Sequence, residues 1–406
     1  MKGGEVMTVA VIGGGAAGLT AALTAAEQGA SVVLLERQGR VGRKLLATGN
    51  GRCNLTNLHG EAEHWHGADP AFARPALAAF GPEEAVEFFR TLGLLTVAEP
   101  SGRVYPLSDQ AGSVVDVLRF AVQAAGVTVR TDFDVTALQP DGKGFRIRSA
   151  EETLRAERVI LCCGGMAGGP LGGARSGYDL LKALGHRMTK LYPALVQLRT
   201  DPTWVRSLKG VRADAALTLR RGDEVLAAGE GEVQFTDYGV SGPAVFELSR
   251  AASTAGGELT LTLDLLRDVA FAEVLALLEH RCAVLPELTV NDLFTGMLHN
   301  RLGRTAARYT GLALDTSLSA LGRRDLRRAA GAVKGFALPV TGTQGFDSAQ
   351  VTAGGARTEE FDPRTLQSRL IPGLYAAGEL LDVDGDCGGY NLQWAWASGR
   401  LAGRLL

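Results

Sequence analysis

Three glycines near the start of the chain have the spacing of a phosphate-binding turn. Gly13, Gly15 and Gly18 form GxGxxG directly after the apolar run Thr8–Ile12 and at the start of an alanine-rich helix pattern. Glycine allows the backbone to approach a pyrophosphate closely, and the free N–H groups of the helix start attract its charge. Glu36 ends the next apolar run, where a carboxylate accepts hydrogen bonds from a ribose diol. Together these features predict a dinucleotide site.

A polar loop after this acid indicates which dinucleotide is bound. Residues 42–57 have the sequence GRKLLATGNGRCNLTN and no apolar pattern of helix length. Arg43 and Lys44 can neutralise a diphosphate, while the amides of Asn50 and Asn54 offer the donors and acceptors that a flavin's pyrimidine edge needs. A solvated basic loop is the alternative interpretation. The loop favours FAD over NAD.

A second glycine-rich segment lies near the other end of the chain. Residues 372–393 have the sequence PGLYAAGELLDVDGDCGGYNLQ and lead into a helix pattern that runs to Leu405. The free N–H groups of that helix start can face N1 and the C2 carbonyl of an isoalloxazine and stabilise its anionic reduced form. The alternating aspartates imitate a calcium loop, but Cys387 and Gln393 occupy positions that require glycine and an acid, so calcium is rejected.

Strand and helix patterns place both glycine-rich sites in one α/β domain. A βαβ unit over 8–35 is followed by helix patterns near 82–92 and 113–125 and by strands near 127–130, 145–148 and 159–162, which extend the same sheet. From about Met188 short alternating strands follow, and residues 271–328 are helical before strand patterns return near Val351. We predict a discontinuous Rossmann-type domain, residues 1–187 and 346–406, with an inserted β-rich and helical substrate or cap domain, residues 188–345.

These blocks together resemble the YhiN-like flavoproteins, also called the BaiN/RdsA or aminoacetone-oxidase type. The similarity covers nearly the whole chain and is most specific in VIGGGAAGL, GRKLLATGNGRCNLTN, GEVQFTDYGVSGPAVFELS, VTAGG and AAGELLDVDGDCGGYNLQWAWASG. The resemblance implies the two-dinucleotide-binding-domain flavoprotein fold and one bound FAD. It also implies that Val135 contacts adenine through its backbone, and that 378–392 line the ribityl chain and the ring. The expected FAD-binding residues are Gly13, Gly15, Ala16, Ala17, Gly18, Glu36, Arg37, Arg43, Lys44, Asn50, Arg52, Cys53, Asn54, Val135, Gly164, Gly165, Gly378, Glu379, Asp384, Gly389, Asn391 and Leu392.

One block departs from the usual pattern of these flavoproteins. Cys162 and Cys163 replace the Ala-Thr that often precedes Gly164 and Gly165, so a threonine hydroxyl contact is lost while the glycine backbone contacts remain. We expect small buried thiols here rather than a strained disulfide. Cys53 lies beside the expected flavin, yet no resolving cysteine is close in sequence, and a packing or amide-presenting role is favoured.

Composition excludes several classes of protein and partner. The 406 residues are 46% hydrophobic and 21% charged with a net charge of −2, which is ordinary for a soluble globular protein and gives no field for nucleic acid or anionic membrane. The five cysteines have no CxxC spacing, and neither a signal peptide nor a membrane span is recognisable. We expect an unprocessed cytoplasmic protein with no metal and no membrane partner, and nucleic acid is a disfavoured partner.

Two further clusters of side chains each have a ligand-binding and a simple surface interpretation. His59, His64 and His66 suggest a metal, but without a nearby carboxylate or cysteine pattern a surface loop is the favoured interpretation. The arginines at 323, 324, 327 and 328 suit the 2′-phosphate of NADPH or a nucleic-acid backbone, although a solvated helix face is favoured. Hydrolase and phosphotransfer motifs are missing from the sequence.

The sequence therefore predicts an FAD-dependent oxidoreductase with a small-molecule substrate. A second GxGxxG with a terminal acid is missing, so NADPH or NADH, if it is the donor, binds only transiently. By resemblance we favour NAD(P)H-driven reduction of an electron-poor, conjugated carbonyl substrate through flavin N5. The alternatives are an oxidase that passes hydride from a small amine or similar substrate to oxygen, and a non-catalytic flavin redox sensor or RNA-associated protein. The sequence names neither a catalytic residue nor an oligomeric state.

Overall fold

The computed structural model describes residues 6–60 and 62–406; residues 1–5 and Glu61 of the predicted cofactor domain lie outside the described residues. Two compact units divide the chain. The first unit comprises the residues up to Tyr192 together with Gln350–Leu406, and the second unit is Pro193–Ala349. The predicted boundaries after residues 187 and 345 lie a few residues before these changes of unit.

The helices and strands follow one another along the chain without long structureless gaps. Up to the first change of unit they are β1 (Thr8–Ile12), α1 (Ala16–Glu27), β2 (Ser31–Leu35), β3 (Thr56–Asn57), β4 (Trp65–His66), α2 (Arg74–Ala79), α3 (Pro82–Thr91), β5 (Thr96–Ala98), β6 (Arg103–Pro106), α4 (Ala111–Ala124), β7 (Thr128–Arg130), β8 (Ala137–Asp141), β9 (Gly144–Arg148), β10 (Thr153–Ala156), β11 (Arg158–Leu161), α5 (Ser176–Ala183) and β12 (Tyr192–Ala194). The second unit adds β13 (Leu198–Thr200), α6 (Pro202–Val205), β14 (Arg212–Arg221), β15 (Glu224–Phe235), β16 (Gly239–Ser241), α7 (Pro243–Ala255), β17 (Leu259–Asp264), α8 (Phe271–Val284), α9 (Asn300–Tyr309), α10 (Arg323–Lys334) and β18 (Phe336–Thr343). The chain then returns to the first unit with β19 (Val351–Ala353), β20 (Leu374–Ala376), β21 (Asp384–Gly385) and α11 (Tyr390–Gly403).

A parallel sheet unites the two ends of the chain. Its strand order is β20-β11-β1-β2-β7, and each neighbouring pair is parallel. Strands β1, β11 and β20 are short apolar runs with mostly buried side chains, as expected where helices cover both faces of a parallel sheet. α1 and α11 pack closely because α11 presents Gly399 and Gly403, where a Cβ would collide with the backbone of α1. The Rossmann-type α/β prediction is confirmed.

One predicted strand of that sheet belongs elsewhere. Residues 145–148 were expected to extend the parallel sheet, but β9 lies in a separate antiparallel sheet of order β10-β9-β8. In β9 only Phe145 and Ile147 are buried, and this alternation suits a sheet that covers the core with one face. The prediction was wrong because a short apolar run does not specify its partner strand.

The second unit is built on a closed antiparallel barrel. Its strand order is β13-β16-β15-β14-β17-β18, and its interior takes alternate residues of the long strands, such as Leu217 and Leu219 of β14 and Leu261 and Leu263 of β17. Helices α8, α9 and α10 form their own apolar cluster around Phe294. The β-rich and helical segments predicted for this region therefore form separate parts of one unit. Among the described residues, every helix is too short or too polar to cross a bilayer.

Candidate flavin site

The predicted phosphate turn connects β1 to α1 with open space at its mouth. Gly13 has φ +104° and donates its N–H to Leu35 O at 2.7 Å, which fixes the turn to β2. A Cβ on Gly18 would collide with Gly13 O, so only glycine permits this approach. By contrast, no described atom lies within 4 Å of a Cβ built on Gly15, and α1 has no side-chain cap there. The helix start is free to receive an anion.

The carboxylate of Glu36 lies beside this turn. Its Oε2 accepts the N–H of Gly14 at 2.7 Å, and its Oε1 accepts the N–H of Gln38 at 2.8 Å. The side chain is half-buried and held at the end of β2, and each carboxylate oxygen keeps a free lone pair. Two neighbouring cations bind protein groups: Arg37 donates to Gly172 O, and Arg43 donates to Gln38 Oε1 at 2.6 Å.

Three segments that are far apart in sequence meet at Glu379. Its Oε2 lies 2.7 Å from Lys44 Nζ, and its Oε1 accepts the N–H of Thr352 at 2.8 Å. A Cβ on Gly165 would come within 2.5 Å of Glu379 Oε1, and one on Gly378 would come within 3.0 Å of Ala17. The structure thus brings the phosphate turn, the 164–165 segment and the start of the C-terminal segment together. Lys44 is ion-paired here rather than free.

The loop that follows Lys44 has one side toward solvent and one toward the protein interior. Asn50 is exposed, and Arg52 pairs with Asp109 and Glu99 and stacks 3.9 Å above the ring of Tyr105. The guanidinium of Arg52 is therefore engaged by other side chains at the protein surface. Asn54 differs, because its Oδ1 is buried and has no hydrogen-bond partner within the described residues. Such an orphaned acceptor indicates a missing donor, as a flavin N–H would be.

The residue that precedes α11 lies next to the orphaned Oδ1 of Asn54. Gly389 precedes the helix with φ +107°, and a Cβ there would lie 2.9 Å from Asn54 Oδ1. Asn391 uses its side chain to hold the preceding loop, since its Oδ1 accepts the N–H of Gly385 at 2.9 Å and its Nδ2 donates to Gly385 O at 2.7 Å. Asp384 is buried in β21, and Leu392 is half-buried on the first turn of α11. The helix has no side-chain cap.

The cysteines near the site are buried and protonated. Burial raises the pKa of the Cys53 thiol to about 12, despite a hydrogen bond with Thr48, and its backbone has φ +64°. Burial likewise raises the pKa of Cys163 to about 12 and that of Cys162 above its usual range. None of the five cysteines, all within the described residues, forms a disulfide. A thiolate is the reactive form, so these observations favour packing roles.

The structure joins two histidines to an acid that sequence reasoning did not connect with them. Asp386 Oδ2 lies 2.9 Å from His64 Nδ1, and its Oδ1 lies 2.6 Å from His66 Nε2. A surface loop was favoured over a metal site because no carboxylate is near these histidines in sequence; Asp386 lies more than 300 positions away in the chain. His66 lies in the short strand β4, which pairs with β21, and His64 directly precedes that strand; their alternating spacing was the available signal. No group of three metal-ligating side chains occurs among the residues described.

A flavin dinucleotide fits the groups that surround these helix starts. Open space at Gly15 and Gly164, the uncapped start of α1 and the orphaned Asn54 Oδ1 are the features that a bound polar cofactor would satisfy. Val135, which is buried, lies two residues beyond Phe133, whose N–H donates to Glu36 O at 2.9 Å. The expected adenine contact is thus near the acid that is expected to bind the ribose.

Comparison with known proteins gives matches over the whole chain. The family model described as HI0933-like protein Rossmann domain matches residues 7–405. The chain is 42% identical over 401 residues to a 3-dehydro-bile acid delta(4,6)-reductase of Clostridium scindens, covering 98% of each protein. It is 31% identical over 391 residues to a ribosomal RNA dihydrouridine synthase of Escherichia coli, covering 96% of this chain and 95% of that protein. Among solved structures, 3-ketosteroid delta1-dehydrogenase from Sterolibacterium denitrificans is similar in fold, with a TM-score of 0.51, 13% identity, and coverage of 98% of this chain and 99% of that one.

Proposed function

The chain belongs to the HI0933-like Rossmann-domain family and is a flavin-dependent oxidoreductase; from that premise we propose that it uses FAD to reduce a carbon–carbon double bond conjugated to a carbonyl group. The observation that carries this proposal is the buried, orphaned Oδ1 of Asn54 beside Gly389, directly before the uncapped start of α11; the start of α1 is uncapped as well. One helix start suits a pyrophosphate, and the other suits the negative charge of a reduced flavin.

Each part of the site has a separate binding task. The turn from Gly13 to Gly18 and the start of α1 hold the pyrophosphate, and Glu36 holds the ribose through its free lone pairs. Asn54 and the backbone before Tyr390 hold the pyrimidine edge of the ring. When bound, FAD supplies hydride transfer at N5. The protein's task is to orient the ring, stabilise its charge and exclude other acceptors.

The substrate class is supported by what two relatives are named for. A 3-dehydro bile acid with a 4,6-diene carries double bonds conjugated to a ketone, and dihydrouridine forms when the uracil double bond conjugated to a carbonyl is saturated. The shared chemistry is hydride addition to the carbon β to a carbonyl. We assign this chain a small-molecule substrate of that kind, because identity is higher to the bile acid reductase and spans the whole chain.

The electron donor in this proposal is NADPH or NADH. The sequence holds one GxGxxG fingerprint followed by a terminal acid, and FAD would occupy it. A nicotinamide donor would therefore bind only transiently. The exposed arginines of α10 offer a guanidinium surface for phosphate, although Arg323 pairs with Glu279 and Arg328 with Asp325.

The test is anaerobic turnover of the purified yellow protein. We expect NADPH or NADH to bleach the flavin, and a 3-oxo-4,6-diene bile acid to restore the yellow colour and gain two hydrogen atoms by mass spectrometry. Bleaching that only oxygen reverses would support an oxidase instead. Reduction of uracil in ribosomal RNA, with no reaction of the dienone, would show that the substrate is a nucleic acid instead. A flavin that neither nucleotide reduces would overturn the proposed donor.

A further inference from the structure

His66 on β4 and His64, which directly precedes that strand, share one carboxylate beside the start of α11. His64 Nδ1 and His66 Nε2 lie 2.9 Å and 2.6 Å from the two oxygens of Asp386. The His64 ring stacks on Tyr390, the first residue of α11, with 4.3 Å between ring centroids and 22° between planes. The imidazole is therefore placed at the helix start that we assign to the reduced flavin ring.

This arrangement selects which ring nitrogens remain available. A carboxylate accepts hydrogen bonds only, so His64 carries a proton on Nδ1 and His66 carries one on Nε2. The opposite nitrogens, His64 Nε2 and His66 Nδ1, have no partner within the described residues. Both side chains keep about a third of their surface exposed, 27% for His64 and 31% for His66. A ligand or water can therefore reach them.

A second, independent observation points to a polar ligand at the same place. Trp65, between the two histidines, is 5% exposed, yet its Nε1 has no hydrogen-bond partner in the described part of the chain. Its ring meets Tyr390 edge-on with 5.9 Å between centroids. A buried indole N–H is normally satisfied, so this donor indicates an acceptor that the protein itself does not supply.

The acid is held in its charged form. Burial disfavours the carboxylate of Asp386, but hydrogen bonds from His66 and His64 outweigh it and keep the pKa of Asp386 below its usual range. The charged carboxylate therefore remains an acceptor for both ring N–H groups. The other titratable side chains on the strands and loops packed here are Asp382, Asp384, Cys387, Tyr390 and Arg103.

Reduction of a conjugated double bond requires a proton as well as a hydride. We propose that His64 supplies this proton from Nε2, with Asp386 and His66 as positioning residues; the inference rests on the proposed function. The hydride brings an electron pair to the β carbon, and the π electrons of the double bond form the new C–H bond at the α carbon with the proton from His64. The imidazolium becomes neutral imidazole and regains a proton from water. The reduced cofactor supplies the hydride and is oxidised.

The first test needs no turnover. In long-range ¹H–¹⁵N NMR spectra of the holoenzyme, the neutral His64 ring is expected as the Nδ1–H tautomer and the neutral His66 ring as Nε2–H. Asp386→Asn should weaken the preference of His64 for Nδ1–H. The control variant His280→Gln, on the exposed face of α8, should leave the tautomers of His64 and His66 unchanged. An Nε2–H tautomer for His64 in the wild type would overturn the inference.

The second test separates this inference from the proposed function. The enzyme is reduced with dithionite, freed of excess reductant and mixed anaerobically with a 3-oxo-4,6-diene bile acid. We expect His64→Gln to reoxidise on the order of 10²-fold more slowly than the wild type. A wild type that fails to reoxidise counts against the proposed function. A reactive wild type with an equally fast His64→Gln variant overturns the role of His64. Flavin absorbance and melting temperature verify that each variant is folded and loaded.

Discussion

Lys44 Nζ lies 2.7 Å from Glu379 Oε2, although 335 positions separate the two residues in the chain. The pair joins the loop that follows β2 to the segment before α11. Both side chains are partly exposed, 31% for Lys44 and 20% for Glu379, so their attraction alone adds little to stability. It connects two halves of the proposed flavin site, which come from opposite ends of the chain.

Glu379→Gln is expected to weaken FAD retention more than it weakens the fold. The amide can still accept the N–H of Thr352, but the attraction to Lys44 is lost. We expect the FAD dissociation constant to rise about fivefold, equivalent to about 1 kcal/mol. Asp179→Asn, which removes the exposed pair with Arg175, is the matched control and should leave FAD affinity unchanged. Equal effects of both variants would argue against the joining role of Glu379.

Glu36→Arg should yield a folded, colourless protein. The substitution replaces the ribose acceptor with a cation and removes the acceptor of the Gly14 and Gln38 N–H groups. The control is Glu157→Gln at the exposed end of the same sheet, where the carboxylate accepts the N–H of Thr8 at 2.7 Å. Flavin absorbance after gel filtration measures retention. A yellow Glu36→Arg protein would contradict the ribose assignment.

Cys53 should resist alkylation in the native protein. Its pKa of about 12 means that the thiolate is scarce at neutral pH and becomes abundant only as the pH approaches that value. Peptide mass spectrometry after brief iodoacetamide treatment should find Cys387, which is partly exposed, labelled well before Cys53. Cys53→Ser should retain flavin reduction within a few-fold. Rapid labelling of Cys53 at neutral pH would restore a redox role.

Acid should destabilise the first unit through a buried histidine. His186 Nδ1 lies 3.0 Å from Glu360 Oε2, and its Nε2 lies 2.9 Å from Ser368 Oγ. Burial lowers the pKa of His186 below its usual 6.5, although Glu360 opposes that shift. The unfolded chain then binds a proton more readily than the folded one, so stability falls as pH drops through 6.5 toward the lowered pKa.

The measurement is the melting temperature between about pH 7.5 and about pH 5.5. The wild type should lose stability across this range, and His186→Gln should lose less, although it starts about 1–3 kcal/mol less stable because it disturbs a buried network. Glu360 adds a further loss at lower pH: burial disfavours its charge, but hydrogen bonds from Arg187 and His186 keep its pKa low. A pH response identical in wild type and variant would assign the effect to other groups.

Local sequence patterns were sufficient for the cofactor-binding half of the fold. The turn at Gly13, the acid at Glu36 and the helix start after Gly389 each depend on neighbouring residues, so a short motif predicts them. The resemblance to YhiN-like flavoproteins is confirmed by the family match over residues 7–405. The β-rich and helical segments of the inserted domain were also predictable, because their hydrophobic periodicity is local.

Contacts between distant segments could not be predicted in the same way. Nothing near Lys44 indicates that Glu379 neutralises it, and nothing near His64 indicates Asp386. Strand partners are equally non-local, which is why β9 was assigned to the wrong sheet. Arg52 illustrates the same limit, since only the fold reveals that Asp109 and Glu99 hold it at the surface.

The most direct test of the central claim is reoxidation of the reduced flavin by a conjugated acceptor. Dithionite-reduced enzyme should be reoxidised under anaerobic conditions by a 3-oxo-4,6-diene bile acid, whereas the matched saturated 3-oxo bile acid should leave the flavin bleached. The difference isolates the conjugated double bond as the hydride acceptor. A flavin that stays reduced with the diene, or that responds equally to both compounds, would contradict the assignment of this chain as a reductase of conjugated carbonyl substrates.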